Sequence, residues 1–239
     1  PYCHLLCLFT SRREFGAPWY KSFGYQPIEL QPLSQDECRL LISNVAGSSS
    51  IDPSQVAAIS SKSEGNPLFL EELTRVLLNP KPPEDSASEE LQIPDNLQGL
   101  LSARLDTLGE ARELAQIAAI IGRGFSYELL KAASGYPEEH LARLLNRLIE
   151  QDIVSIENTS RGPVYLFRHT LLREMACSNM LKKDRRKHHR RIARFLLKYH
   201  EETTPPERIA MHCEAAGDWN NAIVKYQEAG ENAIQAYNN

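Results

Sequence analysis

The sequence predicts a mainly α-helical protein with one strand of an α/β core at its front and one hairpin further on. Three observations carry this. Apolar residues recur at helical spacing from Leu33 almost to the last residue. Residues 2–9, Tyr2-Cys3-His4-Leu5-Leu6-Cys7-Leu8-Phe9, form a short apolar run without alternation. Two β-prone runs, 153–156 and 164–167, flank a Gly-Pro loop.

The first run fits a strand covered on both faces, as in a parallel sheet. Thr10-Ser11-Arg12-Arg13 follows at its carboxyl end, the edge where open parallel sheets bind ligands. Only one such strand is present, so the rest of its sheet is expected upstream. Ser34 with Glu37 reads as a capping box, with Leu40, Leu41 and Val45 on the helix behind it. Asp52-Pro53 starts a second helix and Asn66-Pro67 a third, each with proline in the first turn. Residues 79–90 are polar, Pro-rich and free of aromatics, which marks a linker. Asp95 with Gln98 resembles another capping box. Helical patterns then cover roughly 95–107, 109–121, 126–133 and 137–151. Helices followed by one hairpin is the plan of a winged helix. From Thr170 onward the pattern is helical again. Gly217-Asp218-Trp219, with Ala222, Tyr226 and Ala229-Gly230, looks like the second helix of a tetratricopeptide unit.

Composition narrows the function classes. The chain has 239 residues and a formal charge of −4, which argues against a whole-molecule binder of nucleic acid or anionic membrane. Hydrophobic content of 42% is too high for a disordered chain. No apolar stretch approaches the ~18 residues that a membrane span needs. The five cysteines, Cys3, Cys7, Cys38, Cys177 and Cys213, are irregularly spaced and include no CxxC, which argues for the cytoplasm and against disulfides or a zinc module. No metal site is expected; Cys3 and Cys7 read as strand packing. Pro1 opens directly on the apolar run, with no signal peptide before it, so the chain is expected to be an interior slice of a longer protein.

No phosphate loop GxxxxGK[ST], GxSxG elbow or HExxH helix occurs, so no complete catalytic constellation is expected in this chain. Three isolated signals remain. Arg12 at the strand end can present its planar fork to a phosphate oxygen, and reads equally as a surface arginine. Arg13 is assigned to solvent. Gly65-Asn66-Pro67 can lay a rigid apolar ring against a flat base; the plainer reading is a capped helix start, with Glu71 and Glu72 suiting its positive end. His169 sits where the hairpin returns into a helix, and can donate to a phosphate or simply hydrogen-bond backbone. Residues 182–198 hold nine Lys and Arg with Asp184 as the one acid, which suggests nucleic acid. Ile192, Phe195 and Leu196 share that helix, so the bases read better as its solvated face.

Taken together, the strings SEGNPLFLEELTRVL, IPDNLQGLLSARLDTL, AAIIGRGFSYELL and FRHTLLREMA, after Ser11-Arg12 and before a repeat-like tail, resemble the STAND class of AAA-related P-loop ATPases. The likeness is greatest to the ATPase modules that accompany class III adenylate/guanylate cyclase or protein kinase domains. It implies the end of a P-loop ATPase core over 1–30, a helical lid over 31–78, a linker over 79–93, a winged-helix domain over 94–181 and the start of a TPR-like sensor over 182–239. By the same resemblance Arg12 is a sensor arginine near the γ-phosphate and Pro67 packs on adenine. His169 aligns with the winged-helix histidine that, in the related NB-ARC proteins, holds the β-phosphate of ADP. ATP or ADP with Mg is implied for the full-length parent, with no tight binding by this chain alone. The implied partners are the P-loop core in cis, an effector domain or protein, and other copies in the ATP state; neither nucleic acid nor membrane is expected. The alternatives are a transcriptional regulator whose winged helix and basic helix touch DNA, and a non-catalytic helical scaffold.

Overall fold

The computed structural model describes residues 8–11, 15, 28–78, 96–160, 162–178 and 180–237. It is mainly helical: eleven helices and a small three-stranded sheet run through those residues. Of the strand expected over 2–9, only Leu8 and Phe9 lie among them; both are exposed and in no strand. A two-faced strand is buried only when flanking strands take up its backbone groups, and among the described residues no strand is paired with these two. Arg12, Arg13, Cys3, Cys7 and the linker 79–93 fall outside the described residues.

The first unit is α1 (Gln35–Ala46), α2 (Pro53–Ser63) and α3 (Pro67–Leu78). The starts are those the caps predict. Ser34 and Glu37 form the reciprocal capping box, Asp52 Oδ1 accepts from Ser54 N at 2.8 Å, and Asn66 Oδ1 accepts from Phe69 N at 3.1 Å. The three helices enclose Cys38, Ile42, Ile59, Leu70 and Leu73.

α4 (Leu97–Asp106) joins this small core to a larger one. Leu100 belongs to the first core, Leu101 and Leu105 to the second, and Leu97 packs against both. Its cap is Asn96, whose Oδ1 accepts from Gly99 N at 2.7 Å, rather than Asp95. Asparagine caps as well as aspartate, and it sits one residue nearer the helix.

The larger core holds α5 (Ala111–Ile121), β1 (Gly124–Phe125), α6 (Tyr127–Ser134), α7 (Glu138–Glu150), β2 (Val154–Thr159), β3 (Gly162–Phe167) and α8 (Thr170–Ser178). All three strands are antiparallel in the order β1-β3-β2. Helix, strand, two helices and a hairpin in this order is the winged-helix arrangement. The hairpin strands run deeper into the predicted loop than their apolar runs suggest, pairing as far as Thr159↔Gly162. β1 carries no sequence signal of its own: two residues are too few for periodicity, and only pairing of Gly124 and Phe125 with Leu166 and Tyr165 makes them a strand. Phe125 then stacks on Tyr165 and meets Phe167 edge-on.

α9 (Lys182–Tyr199), α10 (Pro206–Ala216) and α11 (Trp219–Tyr237) complete the chain. α9 buries Ile192, Ala193 and Leu196 as expected, but part of its basic run is not solvated. Arg191 donates to Ser134 O at 2.5 Å at the end of α6, and Arg186 to Ala216 O at 2.9 Å at the end of α10. Helix carboxyl ends leave carbonyls unpaired and partly negative, so guanidinium groups settle there. Cys38 and Cys213 are buried free thiols, and burial pushes both above the usual thiol range, as befits inert packing residues. Among the described residues no helix is long and apolar enough to cross a membrane.

Candidate functional site

The turn into α3 is built around Gly65. Its φ of +73° favours glycine, and an added Cβ would lie 2.6 Å from Leu33 O. Leu33 N donates back to Gly65 O at 2.9 Å, which fastens the start of α1 to the start of α3. Pro67 follows, exposed at the first position of α3. It lines an open depression of about 620 Å³ with Leu30, Lys62, Asn66, Phe69 and Leu97. A larger cleft of about 830 Å³ lies between α1 and α2, over Cys38, Ile42 and Val56. The smaller one bears on the sequence reading because it contains Pro67.

His169 lies in the last position before α8, between β3 and the helix. Its Nε2 is 3.6 Å from Oε2 of Glu71, one helical turn beyond Pro67 on α3. That gap exceeds a hydrogen bond, and the buried Nε2 has no hydrogen-bond partner. His169 is therefore neither bonded to backbone through Nε2 nor remote from the first three helices. Two of the three residues singled out in the sequence, Pro67 and His169, are served by the same helix. The third, Arg12, lies outside the described residues.

Four charged residues that sequence reasoning did not single out complete the junction. Arg75 on α3 donates from Nη2 to Glu71 Oε1 at 2.8 Å and from Nη1 to Asp152 Oδ2 at 2.5 Å. Asp152 sits in the turn between α7 and β2 with φ +56°, and its other oxygen is 2.8 Å from Arg168 Nη2. Burial works to lower the Arg75 guanidinium, but Glu71 and Asp152 outweigh it and hold it above its usual value. Beside this network, Glu72 is fully buried and paired with Arg104 Nη1 of α4. Arg104 also donates to the carbonyls of Gln151 at 2.8 Å and Asp152 at 3.3 Å. Glu72 thus anchors α3 to α4, and Glu71 holds Arg75 on its own helix; neither is placed as a partner of the α3 amino end. One signal was available: Glu71 and Arg75 stand four residues apart, a spacing that pairs charges on a helix. Asp152 and Arg104 had none, because their partners are remote in sequence.

The arrangement puts a depression at the start of α3 and a half-buried imidazole one turn along the same helix, with cations and carboxylates around the imidazole. It can grip an anion through His169 and Arg168 and hold the two units together through Arg75. Proton transfer or covalent chemistry would need a nucleophile or base aimed at a substrate, and no such group stands out in this junction.

No protein-family profile matches the chain. It is similar to an uncharacterized protein of Rhizobium meliloti (strain 1021), with 29% identity over 194 residues. That match covers 79% of this chain and 19% of the relative, so the chain spans about a fifth of that protein's length.

Proposed function

We propose that the chain is the moving part of a nucleotide-dependent signalling switch of the STAND ATPase kind, acting in the cytoplasm on an attached or partner effector such as an adenylate/guanylate cyclase or a kinase. The observation that carries this reading is the junction of His169 with Glu71, one turn from Pro67. That contact brings the helix that begins at Pro67 beside His169, which supports reading the two as parts of a clamp over a purine nucleotide. The P-loop core in cis would supply the phosphate cradle, and ATP or ADP with Mg would bind between it and this chain. Arg12 would serve as its sensor arginine. Exchange of ADP for ATP would release the winged helix and let copies associate. The chain alone carries out no reaction in this scheme.

His169→Ala in the full-length parent tests the reading. A hydrogen bond to a charged phosphate contributes roughly 1.5–3 kcal/mol, so ADP retention should weaken roughly ten- to hundred-fold. Unchanged ADP occupancy in a folded variant rejects the role.

The DNA-binding alternative draws less support. α7, which takes the place of a recognition helix, exposes Glu138, Glu139 and Glu150 beside Arg143 and Arg147, and Arg143 is bound to Glu110 at 2.9 Å. A mixed-charge helix lacks the one-signed surface that phosphate backbones select. Salt-dependent affinity for duplex DNA would revive that reading.

A further inference from the structure

We propose that Arg75, Glu71 and Asp152 form a releasable charge latch between the three-helix unit and the winged helix. The two units have separate hydrophobic cores, and α3 meets the larger unit chiefly at α4. Two ion pairs among the described residues also cross the seam, Arg75 with Asp152 and Glu72 with Arg104. Ionic seams differ by depth. Glu72 and Arg104 are 1% and 12% exposed, so water cannot easily replace either partner, and this pair fixes α3 on α4. Arg75, Glu71 and Asp152 are 24%, 20% and 29% exposed, so water and salt reach the edge of each group. When the latch parts, Arg75 keeps Glu71 on its own helix and Asp152 keeps Arg168 on its own unit. Neither charge is left alone by opening, which lowers the barrier to it. An interface that is small, polar and internally compensated on both sides separates more readily than an apolar one. The latch rests on these contacts and not on any ligand, so its failure would leave the nucleotide reading to be judged by His169→Ala.

Hydrogen exchange followed by mass spectrometry on the full chain tests it, with Arg75→Gln, Asp152→Asn and the double variant. Asparagine suits the left-handed backbone at position 152 and so isolates the charge. Each single change should speed exchange over α3 and the 151–153 turn about five-fold, the size expected for a partly buried pair. The double variant should fall well short of the product of the two single effects, since both remove the Arg75–Asp152 bond and each removes only one further bond of its own. α9–α11 should be unaffected. In the unaltered chain, raising NaCl from about 0.05 to about 0.5 M should speed exchange at the same two segments, and this arm needs no variant to fold. Unchanged exchange at α3 overturns the proposal. So does acceleration spread equally over α9–α11, or effects of the two changes that multiply.

Discussion

The Nδ1 atoms of His189 on α9 and His212 on α10 lie 2.9 Å apart, so one ring donates the hydrogen bond and the other accepts it. The accepting ring must be unprotonated at Nδ1, so the pair cannot hold two charges. Burial, then the charge of Arg185 and of His188, lowers His189 to about 4; burial, then His189 and Arg208, lowers His212 to about 3. The ordinary value is 6.5. Above that pH neither the folded nor the unfolded chain protonates these rings, and stability is at its full value. As pH falls below 6.5 the unfolded chain takes up protons that the folded chain refuses, so stability is lost towards pH 4 and 3. For the fully buried His212 the loss is about 2 kcal/mol by about pH 5. Denaturant unfolding between about pH 8 and about pH 5 checks this, and His212→Asn should flatten the slope. A slope unaffected by that change would refute the assignment.

Glu72→Ala strands the Arg104 guanidinium in a buried seam. Removing one partner of such a pair costs about 3–5 kcal/mol. Replacing both, as in Glu72→Leu with Arg104→Met, should cost much less than either single change, because neither charge is then left behind. Unfolding midpoints of the three variants measure this; additive losses would count against the pairing.

Gly217 ends α10 with φ +77°, and an added Cβ would collide with the Arg186 guanidinium that caps Ala216 O. Gly217→Ala should lose about 1–2 kcal/mol from the backbone and, in addition, the cap. Gly162→Ala makes the control: its φ is +109°, with nothing within 4 Å, so only backbone strain should appear. Equal losses at the two sites would show that Arg186 does not hold that carbonyl.

Gly65→Ala should unfold or displace α1 relative to α3, because Leu33 O cannot retreat without straining the bond that Leu33 N donates to Gly65 O. Limited proteolysis should then cut within α1 and α2 before any site in α9–α11. Retention of the wild-type cleavage order would show that the turn accommodates a side chain.

What the sequence by itself determined is what neighbours along the chain decide. Ser34 with Glu37, Asp52 and Asn66 mark helix starts because a cap reaches only two or three residues ahead. Apolar spacing places Ile192 and Leu196 inside because helical period is a local property, but on α1 it chose the wrong face: Cys38 and Ile42 are buried, whereas Leu40 is exposed and Leu41 and Val45 are half-buried. The position of His169 at a strand-to-helix junction follows from the same local rules. Tertiary structure alone decided where the charges go. Arg75 finds Asp152 across 77 positions, and Arg186 and Arg191 cap the ends of other helices. β1 exists only because β3 is beside it. The reason is range: caps and periodicity act within a turn or two of helix, whereas an ion pair, a buried imidazole or a two-residue strand is specified by partners that only folding brings near.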